Sequence, residues 1–197
     1  MSGKLGLKFT ELMTGGFALG ATDPALGEKQ GASQGVSLAM HCEVKIDDLI
    51  RFSEDPQHTG VLSGSIDFAP LGTGIPCDQG VFNLFCPANV PTERWMVYEF
   101  GFAANGQRYH LAGKKIVSRG HAAEVVQETT TLYTMLYAGT DKSGAIAGAG
   151  IVHLGAKSIA DMVKTIQVTN ADNAFETMQG LAIYLKLFLG ELWHTYV

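Results

Sequence analysis

Several side chains that can move a proton lie inside segments with a β-strand pattern. Carboxylates, imidazoles and phenols act as general acids and bases when they meet at one substrate. Inside a small barrel lined by phenylalanine and methionine, such groups can also orient an apolar ligand. The candidates for acid and base roles are Glu11, His41, Tyr98, Tyr133 and His153.

The alternation of residues along a strand indicates which of these groups share a face with apolar neighbours. Tyr98 lies two residues from Met96 and two from Phe100, and Tyr133 lies two from Met135. Residues two apart point to the same side of a strand. The apolar and aromatic residues predicted to line a ligand site are Phe82, Phe85, Met96, Phe100, Tyr109, Met135 and Tyr137.

His41 and Glu43 occupy the more polar face of a segment, Val36 to Ile46, whose larger apolar residues stand at every second position. This alternation predicts a half-buried strand. The two residues are inert if their face borders solvent. If it borders a lumen, they form the best acid–base pair in the chain.

Other kinds of chemistry lack their motifs. The glycine-rich "GTGIPCDQG" is followed by the β-like "VFNLF", whereas a phosphate-binding loop opens a helix. The histidines show no HxH or HExxH spacing and the three cysteines no paired spacing, so we expect no metal site. We therefore expect no cofactor.

Composition bounds the class of protein. The chain has 197 residues, of which 46% are hydrophobic and 17% charged, which fits one domain with its own core. A net charge of −5 without a basic, aromatic cluster disfavours nucleic acid as a partner. No apolar run approaches the roughly 20 residues that span a bilayer, and no signal peptide is evident, so we expect a cytoplasmic protein with free thiols.

Turn signals and strand-like runs predict a mainly β fold. Asn105-Gly106 is the pair that best supplies a type I′ hairpin turn, and a second hairpin is expected around the polar "TDKSG". Short strands at roughly regular spacing, with no alternation of strand and long helix, favour an antiparallel β-barrel or sandwich.

Helical periodicity is concentrated at the end of the chain. Apolar residues recur at helical intervals over 172–196, which predicts a long C-terminal α-helix. Short helical turns are expected after strands, in Lys45–Phe52 and Ser158–Thr165. Residues 20–35 show no periodicity and many small residues, which predicts a mobile loop.

Seven segments resemble, in order, a β-rich companion domain associated with some bacterial cholesterol-oxidase-like (GMC-type) flavoproteins. They are "FTELMTGG", "SGSIDF", "GVFNLF", "RWMVYEF", "LAGKKIV", "TTTLY" and "GAGIVHL". The resemblance implies an accessory or standalone domain in a setting of sterols or other lipids. It implies no flavin here, because the G-x-G-x-x-G fingerprint is missing. At the level of fold alone, the predicted barrel is similar to calycin-like lipid binders.

Three functions remain open from the sequence. The first is binding of a hydrophobic small molecule, lipid- or sterol-like, in a barrel or sandwich. The second is a cofactor-independent isomerase, cyclase or hydratase acting on an apolar substrate. The third is a structural or interaction module whose partner is a second copy or a flavoprotein, with the terminal helix packing through Phe188, Leu192, Trp193 and Tyr196.

Overall fold

The structure is a computed structural model that describes residues 4–118 and 122–196, with side chains over 4–118 and 124–193. The described strands are β1 (Gly6–Leu19), β2 (Ser37–Ile46), β3 (Thr59–Phe68), β4 (Gly72–Pro76), β5 (Gly80–Pro87), β6 (Glu93–Ala104), β7 (Gln107–Ser118), β8 (Thr131–Ala138), β9 (Ile146–His153) and β10 (Gln167–Thr169). The described helices are α1 (Pro24–Gln34), α2 (Leu49–Glu54), α3 (Ala122–Thr130), α4 (Ala156–Thr165) and α5 (Ala174–Tyr196).

Eight of these strands close an antiparallel barrel. They follow one another in the order β1, β2, β3, β5, β6, β7, β8 and β9, and β9 pairs back with β1. Outside this ring, β4 pairs with β3 and β10 with β1. The predicted mainly β fold with a C-terminal helix is confirmed, and the barrel is the correct form of it.

Strand alternation separates the interior of the barrel from its outer surface. In β2, Met40, Cys42 and Val44 are buried in the interior, while His41 and Glu43 are exposed. The predicted half-buried strand is therefore confirmed. The polar face of β2 borders solvent and not the lumen.

Both predicted hairpins are present. Asn105 and Gly106 join β6 to β7 with φ angles of +51° and +76°, the two positive values that a type I′ turn requires. Residues 139–145, which include the polar "TDKSG", join β8 to β9. Local turn chemistry was thus sufficient to place both hairpins.

The prediction of a mobile loop over residues 20–35 is wrong, because Pro24–Gln34 forms α1. Asp23 caps the helix by accepting a hydrogen bond from the backbone N–H of Leu26, and Gly35 ends it with a φ of +67°. The helix turns Gly27 and Gly31 toward the barrel. Apolar periodicity is missing because glycines, and not large side chains, form the buried face.

Helices α2 and α4 follow β2 and β9, as the sequence predicts. The predicted terminal helix is α5, which buries Tyr184 and packs Phe188 and Leu192 against the core. Trp193 is exposed, and the side chain of Tyr196 lies outside the described part of the chain. Over residues 4–118 and 122–196, no helix has the length and apolar character needed to cross a membrane.

Candidate functional site

Three polar side chains meet in the interior of the barrel. Glu11 comes from β1, Tyr98 from β6 and Lys115 from β7, and they are 5%, 0% and 1% exposed. Three strands separate β1 from β6 in either direction around the barrel. The contact between Glu11 and Tyr98 therefore crosses the lumen from one wall to the other.

The three groups form one hydrogen-bonded cluster. The Tyr98 hydroxyl donates to Glu11 Oε1 over 3.0 Å. Lys115 Nζ donates to the Tyr98 oxygen over 3.2 Å, and it lies 3.5 Å from Glu11 Oε2. The same nitrogen lies 5.0 Å from the centroid of the Tyr98 ring. These contacts fit a carboxylate, a neutral phenol and an ammonium group.

Burial fixes the protonation of the neighbouring acids. The pKa of Tyr98 is raised well above the ordinary value of a phenol, first by burial and then by the charge of Glu11. The same two causes, in the same order, raise the pKa of Tyr184 and that of Cys42, which lies opposite Glu11 on β2. Tyr98 is therefore a hydrogen-bond donor in the cluster and not a base.

Glu11 and Lys115 both border a small cavity at one end of the barrel, beneath α3, α4 and α5. Its volume is about 140 Å³. Its other walls are chiefly apolar and include Phe9, Phe82, Met96, Met162, Tyr184 and Phe188. Drug-sized ligands occupy cavities of about 300–1,000 Å³, so this cavity suits a molecule of about one ring.

The amine of Lys115 has hydrogen-bonding capacity to spare. An ammonium group has three N–H donors. Among the described residues, its acceptors are the Tyr98 oxygen and, at the longer distance of 3.5 Å, the Glu11 carboxylate. Since this side chain borders the cavity, a further donor is available to an oxygen atom of a bound molecule.

The structure brings two of the five acid–base candidates together, Glu11 and Tyr98. It corrects the expectation that the other three can point into the barrel. His41 lies on the outer surface, 2.9 Å from Asp67, and His153 lies there 2.9 Å from an α1 carboxylate. Tyr133 is also on the outside and is partly exposed. Their positions on the outer face of the strands separate them from the buried cluster.

Five of the seven residues predicted to contact a ligand have buried or partly buried side chains that pack in the core. Phe82 and Met96 line the cavity itself. Phe85 packs against α5 with a ring-centroid distance of 5.4 Å to Phe188. Farther along the strands, Phe100 is buried and Tyr109 stacks on a phenylalanine of β6. Only the first two are placed to touch a molecule beside Lys115.

Met135 and Tyr137, the remaining two, lie on the outer surface of β8. They line a groove of about 460 Å³ across β6, β7 and β8, together with Trp95 and Tyr133. The groove is larger than the interior cavity, but the buried Glu11–Tyr98–Lys115 cluster does not reach it. We therefore base the candidate site on the interior cavity.

Lys115 is the member of the cluster that the sequence interpretation missed. The signal was present in "HLAGKKIV", where Lys115 is spaced by an even number of residues from Leu111 and Val117, both buried. Lys114 has the opposite parity and lies on the outside, with its Nζ 4.4 Å from the centroid of the Trp95 ring. A charged residue in phase with apolar neighbours is the pattern that would have found it.

Comparisons with protein-family models, curated proteins and solved structures find no match. The resemblance to a companion domain of GMC-type flavoproteins therefore stays a prediction. Within the described residues, no three histidine, cysteine, aspartate or glutamate side chains are grouped closely enough to hold a metal ion. The ionisable groups among the described residues that border the cavity are the Glu11 carboxylate, the Lys115 amine and the Tyr184 phenol.

Proposed function

We propose that the protein binds a small apolar molecule with one carbonyl oxygen in the cavity beside Lys115. The observation that carries the proposal is a charged pair, Glu11 and Lys115, buried at the wall of a chiefly apolar cavity. Burying an ion pair requires removing both ions from water, at several kcal/mol for each. Ligand pockets are typically apolar, with a few placed polar or charged groups that orient the ligand.

The walls and the amine specify complementary parts of the ligand. Phe82 and Tyr184 offer aromatic faces for an apolar ring, and the unused N–H of Lys115 offers a donor for a carbonyl oxygen. The volume of about 140 Å³ matches a single-ring molecule such as cyclohexanone or benzaldehyde better than a whole sterol. The proposed ligand is therefore a single-ring ketone or aldehyde.

Filling the cavity tests this function. Met162 lines the cavity from α4, whereas the adjacent Val163 is exposed on the same helix. We expect Met162→Trp to weaken cyclohexanone binding at least tenfold, a change of about 1.4 kcal/mol, and Val163→Trp to leave it unchanged. Isothermal titration calorimetry measures both. The proposal would be contradicted if both variants bound cyclohexanone with equal affinity, or if the unmodified protein did not bind it.

A second function, proton transfer on the bound carbonyl compound, is supported by Glu11 facing the same cavity as Lys115. The Glu11 carboxylate is placed to remove a hydrogen from the carbon next to the carbonyl group. Lys115 is placed to stabilise the negative charge that develops on the oxygen. This is the first half of an isomerase reaction that needs no cofactor.

Hydrogen exchange measures this step directly. We expect the protein to catalyse the exchange of the α-hydrogens of cyclohexanone for deuterium in heavy water. Proton NMR measures the rate from the loss of the α-hydrogen signal. Glu11→Gln should slow the catalysed exchange by at least about 100-fold. Glu43→Gln, on the exposed face of β2, serves as the control and should keep the rate. A rate no higher than in buffer would contradict proton transfer.

A further inference from the structure

We propose that Lys115 forms a covalent iminium, or Schiff base, with the carbonyl carbon of small apolar aldehydes and ketones. This inference rests on the proposed function, because the carbonyl compound must first bind in the cavity. It adds a nucleophile and a covalent intermediate to what would otherwise be a binding site.

The surroundings of Lys115 supply what a lysine nucleophile needs. Lys115 is 1% exposed and borders the cavity where the carbonyl compound is proposed to bind. Glu11 Oε2 lies 3.5 Å from Nζ and is the group placed to accept its proton. Lysines that form Schiff bases are activated in such hydrophobic pockets, beside a group that moves protons.

The reaction balances with the groups present. Glu11 takes a proton from the Lys115 ammonium, and the freed nitrogen lone pair forms a bond to the carbonyl carbon. The carbonyl oxygen accepts that proton, which gives a carbinolamine. Glu11 then relays a second proton from the nitrogen to the same oxygen, the carbon–oxygen bond breaks, and water leaves. Both hydrogens of the water come from the ammonium group, and the positive charge stays on the iminium nitrogen.

Tyr98 acts as a positioning residue in this scheme. Its hydroxyl lies 3.0 Å from Glu11 and 3.2 Å from Lys115, so that carboxylate and amine stay beside each other within the lumen. The iminium then makes the α-hydrogens of the bound molecule more acidic than those of the free ketone. Glu11, once more a carboxylate, is placed to remove one of them.

Reductive trapping tests the inference on the unmodified protein. Benzaldehyde is added with sodium cyanoborohydride, which delivers hydride to the iminium carbon and converts it into a stable secondary amine. We expect an intact mass increase equal to one benzaldehyde less one oxygen atom, and peptide mapping that places it on Lys115. Benzyl alcohol, which has no carbonyl group, should give no increase.

Lys114 is the matched internal control, because it is the next residue and lies exposed on the outer face of β7. We expect Lys115 to be modified at least ten times faster than Lys114. Lys115→Arg keeps the positive charge but has no amine that forms an iminium, so it should give no adduct at position 115. Met162→Trp should slow the trapping by blocking the cavity.

The possible results separate the two proposals. Calorimetry with benzaldehyde, without the reductant, shows whether the molecule binds at all. If benzaldehyde binds, Met162→Trp abolishes that binding, and no adduct is trapped at Lys115, the iminium is ruled out and the proposed function is supported. If benzaldehyde does not bind, both the iminium and the proposed function are ruled out. Equal modification of Lys114 and Lys115 also overturns the iminium, since ordinary surface lysines would then react as well.

Discussion

Replacing Lys115 with methionine lowers the free energy of unfolding by about 3–5 kcal/mol, because the Glu11 carboxylate stays buried without its counter-charge. Glu11 is 5% exposed and sits across the lumen from β6, so the charge that is left behind is poorly solvated. Urea unfolding followed by tryptophan fluorescence measures the loss. Lys114→Met is the matched control and loses only about 0.5–1 kcal/mol, from the exposed cation–π contact with Trp95.

Removing the whole cluster tests whether the unpaired Glu11 charge causes the loss of stability in Lys115→Met. In the triple variant Glu11→Met, Tyr98→Phe and Lys115→Met, no buried charge or hydroxyl of the cluster remains. Apolar replacement of a complete buried ion network is often neutral or stabilising. We expect the triple variant to regain most of the stability that Lys115→Met loses, yet to bind no carbonyl compound. If Lys115→Met unfolds at the same urea concentration as the original protein, the ion pair is not buried as described.

The second large effect concerns α1, which packs on the barrel through backbone contacts. A side-chain carbon added at Gly27 would overlap the carbonyl oxygen of Ala149, and one added at Gly31 would overlap the backbone of Phe17. Overfilling a packed contact costs about 1–3 kcal/mol at each site. We therefore expect the double variant Gly27→Ala, Gly31→Ala to lose about 2–6 kcal/mol. Thermal and urea unfolding measure it.

Gly190→Ala in α5 is the control for helix propensity. An added carbon at Gly190 meets no atom of the described structure within 4 Å. Alanine in a helix is favoured over glycine by roughly 0.5–1 kcal/mol, so this variant gains stability. If the α1 double variant gains stability in the same way, α1 does not lie against the barrel.

Local sequence patterns predicted the parts of the fold that depend on neighbours in the chain. The alternation in β2 and the Asn105-Gly106 turn were read correctly because both are fixed by residues one to three positions apart. Helix α1 was missed because its buried face consists of glycine, although its Asp23 cap and Gly35 stop were both visible.

Sequence patterns predicted only part of the candidate site. Parity with Met96 and Phe100 correctly placed Tyr98 among apolar neighbours. Its partner Glu11 is 87 residues away in the chain, and their contact depends on β1 and β6 lying opposite each other in a closed barrel. Strand order and closure are set by pairings across the whole chain, and no local pattern encodes them. The alternation in β2 also left open whether His41 faces the lumen or solvent. The closed barrel shows that it faces solvent.

A crystal structure of the protein with cyclohexanone tests the central claim, that the interior cavity is the binding site. We expect the ring against Phe82 and Tyr184, and the carbonyl group of the ligand either within about 3.2 Å of Lys115 Nζ or bonded to it as an iminium. Cyclohexanone bound instead in the outer groove beside Trp95, with none in the cavity, would contradict the claim.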